Sequence, residues 1–344
     1  MTREAAIGSR DAEPSVTPVT VSRWSRTASA FTGLCLVAVV VLAVVPYTIG
    51  GPAEQPLITL FTFIAMASQW NLLAGFSGLT SFGQNAFIGV GAYALYLVAL
   101  HGINPFGGIV LAAVVAAVVA LPVSALVLRL SGGYFAVATL VVAATFQIIA
   151  TLSPAVGGTT GVSVPGLAGY SDVLREALIY WSTLVVALVS VAGVYLLVRR
   201  TFGLDARAVG SDPVAAASSG VRVGRIRLLA YLAAAGGAGA VGALIALQTL
   251  YVEPTTVFNI QYSVDMLFMV LIGGMGTIEG PIIGALVLFA LQETLSSYGA
   301  WYLVIVGGLA IVTTLAASHG LWGLARERFG WSLLPVGYRV RQKE

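Results

Sequence analysis

The chain has 344 residues, of which 58% are hydrophobic and only 9% charged, with a net charge of +3. Soluble domains carry about 25% charged residues, so this composition excludes a water-soluble enzyme, a nucleic-acid binder and a disordered chain. Roughly 200 apolar residues, shared among helices that each need about 20, cap the chain at about ten membrane spans.

The first thirty residues are polar and mixed in charge, with Pro14 and Pro18 among them, and read as a flexible cytoplasmic tail. Apolar runs follow at 31–49, 57–74, 82–100, 106–128, 134–152, 178–198, 228–250 and 301–317. Each approaches the length needed to cross about 30 Å of hydrocarbon at about 1.5 Å per residue. The stretch 264–295 differs, because as one helix it would run about 48 Å. Gly273, Gly274, Gly276, Glu279, Gly280 and Pro281 interrupt it, so two short spans meeting at a glycine-rich turn fit better.

Fifteen of the seventeen basic residues fall in three places: before the first run, between Arg199 and Arg227, and after residue 325. The positive-inside rule makes all three cytoplasmic. Six spans separate the N-terminus from the arginine-rich loop, an even number as required. Even parity to the basic C-terminus then demands that 264–295 count as two spans. The sequence therefore predicts an all-α membrane protein of about ten transmembrane helices with both termini cytoplasmic. Its membrane domain covers 31–318, a cytoplasmic loop lies at 199–227, and a basic cytoplasmic tail occupies 319–344.

Reactive side chains are scarce: two histidines (His101, His319), one cysteine (Cys35) and one lysine (Lys343). No metal site or cofactor is expected from that set. A phosphate-binding P-loop needs a glycine-rich run ending in Lys-Ser or Lys-Thr, which a lysine at the next-to-last position cannot supply. Any ATP dependence must come from a partner. Asp265, Glu279 and Glu293 fall at expected helix ends, where they read as solvated interfacial carboxylates. This leaves no charge in the middle of a span and argues against coupling to protons or sodium through a buried carboxylate.

Neutral amides are more numerous, with Gln69, Asn71, Gln84, Asn85, Gln147 and Gln248 in the apolar runs. In a bilayer each must find a partner across a helix interface or in a wet cavity. Gln84 and Asn85 stand out because they are adjacent and lie among Gly75, Gly78, Gly83, Gly89 and Gly91. Broken, glycine-rich helices expose backbone that can line a path, so Asn71, Gln84, Asn85 and Gln147 are the candidates for a translocation path. The second glycine-rich break, in the other half of the chain, hints at an internal repeat around that path. The outward loop 153–177 contains Gly157, Gly158, Thr159 and Gly161; it reads either as a flexible linker or as an external gate or docking site. Within 199–227, Asp212 suits an N-cap, Pro213 the first helical position and Gly220 the residue past the end. These signals predict a short helix under the membrane, either resting on anionic headgroups or docking a soluble subunit.

Three stretches resemble the LivM-type permease subunit of branched-chain amino acid ABC importers: NLLAGFSGLTSFGQNAFIGVGAY from Asn71, FGLDARAVGSDPVAAASSGVRVGRIRLLAY from Phe202, and MVLIGGMGTIEGPIIGA from Met269. GGTTG at Gly157 fits more loosely. The chain departs from the family at Ala217 and Pro213, where the family tends to be acidic. The resemblance implies a BtuC-like permease architecture, a second permease subunit, two cytoplasmic ABC ATPases and an extracytoplasmic substrate-binding protein, in a bacterial plasma (inner) membrane. It further implies that Arg207, Asp212, Ala215, Ala216, Gly220 and Arg225 belong to an ATPase coupling loop, with Gly273, Gly274, Gly276 and Gly280 as helix-break glycines. Expected cargo is a branched-chain or other small amino acid. The alternative is a stand-alone secondary carrier or channel for a small polar solute such as urea or an amide. A membrane enzyme ranks behind both, for want of a nucleophile-base pair in the spans.

Overall fold

The computed structural model describes residues 19–22, 26–48, 54–167, 169–295, 298–316, 320–329 and 339–342. Most of the expected terminal tails, with His319 and Lys343, lies outside these. Of the tails, β1 (Val19–Ser22) pairs antiparallel with β4 (Arg339–Gln342), Val19 opposite Gln342.

The remainder is helical. α1 (Arg26–Thr48) and α2 (Glu54–Asn71) come first, and α2 widens into a π-helical turn over Leu72–Phe76. After a non-helical return come α3 (Gln84–Leu100), α4 (Pro105–Val127), α5 (Gly133–Leu152) and α6 (Asp172–Arg199). Two short helices, α7 (Thr201–Ser211) and α8 (Pro213–Ser218), fill the arginine-rich segment before α9 (Val223–Thr249). The second half closes with α10 (Pro254–Val257), α11 (Gln261–Gly273), α12 (Glu279–Leu295), α13 (Ala300–Ala316) and α14 (Gly320–Phe329). A two-residue ladder joins β2 (Val162–Ser163) to β3 (Tyr251–Val252).

Helices occupy all ten stretches where spans are expected, and 264–295 is broken between Gly273 and Glu279. By length and apolarity alone, six described helices suffice to cross a membrane: Glu54–Phe76, Pro105–Val127, Gly133–Leu152, Asp172–Arg199, Val223–Thr249 and Pro254–Gly273. A bent pair, Val304–Leu315 with Gly320–Arg328, would make a seventh. Three of the four expected spans outside these six are short. α3, α12 and α13 have 17 residues each, about 26 Å of helix against a core of about 30 Å.

α2 and α9 form the centre. The α2 span is 78% buried and the α5 span only 22%, so α5 lies at the periphery. Without a hydrophobic drive between helices in lipid, close packing depends on small residues, and α9 supplies them. A Cβ at Gly239 would meet Ala116 of α4, one at Gly242 would meet the Ile88 carbonyl of α3, and one at Gly91 of α3 would meet the Gly239 backbone. Gln248 adds a bond from Nε2 to the Thr62 hydroxyl of α2 at 3.2 Å, which makes this amide interhelical glue.

The contacts separate two ends of the bundle. At one, Asn104 meets Tyr170, Pro105 lies beside Gly166, and 160–164 pairs with 250–252. At the other, Gly78 meets Gly210, Gly75 meets Gly276, and Gly320 meets Gly274. The arginine-rich segment lies at the second end.

Candidate translocation and coupling site

The arginine-rich segment folds locally as its capping signals require. Asp212 Oδ1 accepts from the backbone N–H of Val214 at 2.8 Å and of Ala215 at 3.1 Å, so it caps α8 with Pro213 in the first turn. Gly220 ends the turn at φ +87°, with open space where a side chain would project. The paired alanines part company. Ala216 is buried against Ala206, Val209 and Ile226, whereas Ala215 is exposed. The large apolar side chain exposed on this helix is Val214, at 76%, a position the sequence pattern does not single out. Arg225 lines a groove of about 480 Å³ with Asp205, Gly220 and Arg222.

Arg207 links this segment to the first break. Its guanidinium sits 5.3 Å from the centroid of the Phe76 ring, a cation–π geometry. Burial, and then the charge of Arg326 on α14, pull its pKa below the ordinary guanidinium value, although an arginine stays charged at neutral pH. Beside it Gly78, at φ +68°, lies so close to Gly210 that a Cβ would come within 2.9 Å of the Gly210 Cα. Only glycine satisfies both the left-handed backbone and the contact.

The two breaks then lock together. Asn71, at the end of α2, donates from Nδ2 to the Thr277 carbonyl at 2.7 Å and accepts at Oδ1 from the Gly276 N–H at 2.9 Å. Thr277 caps α12, accepting from the Gly280 N–H at 3.0 Å while donating to the Gly274 carbonyl at 2.8 Å. Of the helix-break glycines, Gly273 packs on Gly280, and Gly276 takes φ +74° against Gly75. A continuous series of contacts therefore runs from α7 through the first break to the second.

Beyond the first break the chain turns back into the bundle. Trp70 Nε1 donates to the Ser81 carbonyl at 2.8 Å, and the Phe82 N–H donates to the Thr139 hydroxyl of α5 at 3.1 Å. α3 then starts with Gln84 and Asn85, and the structure separates these two. Asn85 donates from Nδ2 to the Phe258 carbonyl at 2.7 Å and accepts from the Ser263 hydroxyl at 3.0 Å, so its amide ties α3 to α11. Gln84 is fully buried with neither amide atom hydrogen-bonded. Gln147 lies half-buried on α5.

Of the acidic residues, Glu279 departs from expectation. Asp265, expected at a helix end, lies one turn into α11, within the apolar stretch Pro254–Gly273 that takes in α10 as well. Glu279, expected to be solvated, is buried in the first turn of α12. Glu293 is exposed near the end of that helix.

At the opposite end, the glycine loop is a built structure. Gly157, Gly158 and Gly161 all adopt positive φ, and Tyr251 donates through its hydroxyl to the Thr160 carbonyl. The Val164 N–H donates to the carbonyl of Leu250 at 3.0 Å; Leu250 itself holds a left-handed φ of 56° that non-glycine residues seldom adopt. Thr159 is exposed on this strap.

Residues 53–315 match the family described as "Branched-chain amino acid transport system / permease component". The chain is 27% identical over 322 residues to the high-affinity branched-chain amino acid transport system permease protein LivM of Escherichia coli (strain K12), covering 85% of this chain and 75% of that protein. It is 26% identical over 321 residues, with the same coverage, to the protein of that name from Salmonella typhimurium. No solved structure matches. With the family pattern spanning both broken segments and the arginine-rich loop between them, the chain belongs to the permease components of branched-chain amino acid transport systems, in the LivM-type group.

Proposed function

We propose that the chain is the membrane-spanning permease subunit of an ATP-driven ABC importer for branched-chain or other small amino acids, in a bacterial plasma (inner) membrane. Ten spans in a BtuC-like arrangement, with both termini cytoplasmic, fit the basic-residue distribution and the ten helices α1–α6, α9 and α11–α13. A second permease subunit completes the path, an extracytoplasmic binding protein delivers cargo at the end bearing the Gly157–Gly161 strap, and two cytoplasmic ATPases hydrolyse ATP.

The observation that carries this reading is the series of contacts from α7 to the two breaks. Arg207 on Phe76, Gly210 on Gly78, and Asn71 on Gly276 and Thr277 would pass a push on α7 and α8 to both interrupted helices. Asn71 and Asn85 use their amides within the chain, so we assign them to holding the breaks; Gln84 and Gln147 keep the path assignment. For docking an ATPase, the outward residues Val214 and Ala215 matter, and Ala216 serves the local fold.

Val214→Asp is expected to abolish co-purification of the ATPase subunits while leaving the yield of the permease unchanged. Its side chain is exposed, and a charge there costs folding little but would be desolvated in an interface. Undiminished ATPase association would remove α8 from the docking surface.

A further inference from the structure

Asp265 lies within a stretch long and apolar enough to cross a membrane and is followed by Met266, Leu267 and Phe268. A carboxylate at that depth is strongly disfavoured unless it is paired or meets water. Its hydrogen-bond donor among the described residues is Gln261, one turn earlier, from Nε2 to Oδ1 at 2.7 Å. An amide supplies a hydrogen bond but no charge. Among the described residues no Lys, Arg or His forms an ion pair with Asp265, so none of them balances its charge. One turn further along the same helix face, Phe268 stands at the border of an apolar groove of about 420 Å³, which Leu271 lines with Ala310 and Ile311 of α13. Ligand sites have this character, about 300–1,000 Å³ of apolar wall with a few placed polar groups.

We infer that Asp265, held by Gln261, together with the α11–α13 groove forms a contact site for a zwitterionic aliphatic amino acid in transit, the carboxylate taking its ammonium and the groove its branched side chain. This face then lines the wet path, which also removes the cost of a carboxylate facing lipid. The inference rests on the importer reading and names the substrate-contacting face that the sequence does not.

The test uses the complete reconstituted transporter carrying Phe268→Cys with Cys35→Ser, exposed to a water-borne thiol reagent. Labelling is expected, slowed by leucine and not by 4-methylpentanoate, which has the same branched chain without the amine; adding Asp265→Asn removes the protection. A cysteine that fails to react means that lipid or the partner permease covers the groove and overturns the inference. Equal protection by both compounds, or by neither, overturns the ammonium assignment. Asp265→Asn alone, which keeps the size and the bond to Gln261, is expected to lower leucine uptake about tenfold or more with the ATPases still co-purifying. Unchanged uptake by that variant would refute the site, while ATP-driven uptake by the unaltered complex would leave the importer reading standing; its absence would instead sink the importer reading itself.

Discussion

Gly284→Leu is expected to remove nearly all correctly folded protein. A Cβ at Gly284 would run into the Met269 carbonyl of α11, and one at Gly273 into the Gly280 carbonyl of α12. These obstacles are backbone atoms and cannot rotate aside, so α11 and α12 would have to separate along their length. Overpacking by single methylenes costs about 1–3 kcal/mol where neighbours can yield. A leucine against a backbone should exceed that range and consume much of a total stability of about 5–15 kcal/mol. Gel filtration in mild detergent is the readout, with Gly307→Leu as the control, since nothing lies within 4 Å of a Cβ at Gly307. A Gly284→Leu peak matching the unaltered protein would mean that the hairpin is not packed backbone to backbone.

Asn71→Ala is expected to separate ATP hydrolysis from transport. The change leaves the Gly276 N–H and the Thr277 carbonyl without their partner, at about 1–3 kcal/mol for each group left unsatisfied. It touches neither α7 nor α8, so the ATPases should still bind and hydrolyse ATP. The two breaks would no longer move together, and uptake per ATP should fall about tenfold. Asn71→Asp should do no better, because a carboxylate can accept from Gly276 but faces the Thr277 carbonyl without a donor. Uptake per ATP equal to that of the unaltered complex would show that the clamp transmits nothing.

Much of this arrangement is legible in the sequence where the governing chemistry is local. The Asp212-Pro213 pair announces α8, Gly220 announces its end, and the glycines from Gly273 to Gly280 announce a break, because caps and left-handed turns restrict residue type within a few positions. The facing of each helix is not legible in the same way. Lipid is as apolar as a protein core, so α4 carries apolar residues all round, and exposed Val114 and Val118 look like buried Ala112 and Ala116 by polarity alone. For the same reason Ala215 and Ala216 cannot be ranked by sequence, although one faces out and the other in. Contacts over long separations escape as well. Asn85 looks like a substrate amide until Phe258 and Ser263 are placed beside it, and Asn71 acquires its meaning only from Gly276, about two hundred positions away. Asp265 is placed by a different cause: the apolar run begins at 264, but α11 begins at Gln261, with three residues between it and the end of α10 at Val257. Hydropathy finds the apolar stretch, whereas backbone hydrogen bonding sets where the helix starts.

The central claim is that the energy for transport enters through the arginine-rich segment from ATPases outside the chain. It is tested most directly by reconstituting the permease pair, the ATPases and the binding protein in liposomes and following leucine uptake with and without ATP on the side of α8. The expected result is uptake that requires ATP and the binding protein and that ion gradients cannot replace. Uptake by the purified chain alone, driven by a proton or sodium gradient without ATP, would contradict the account.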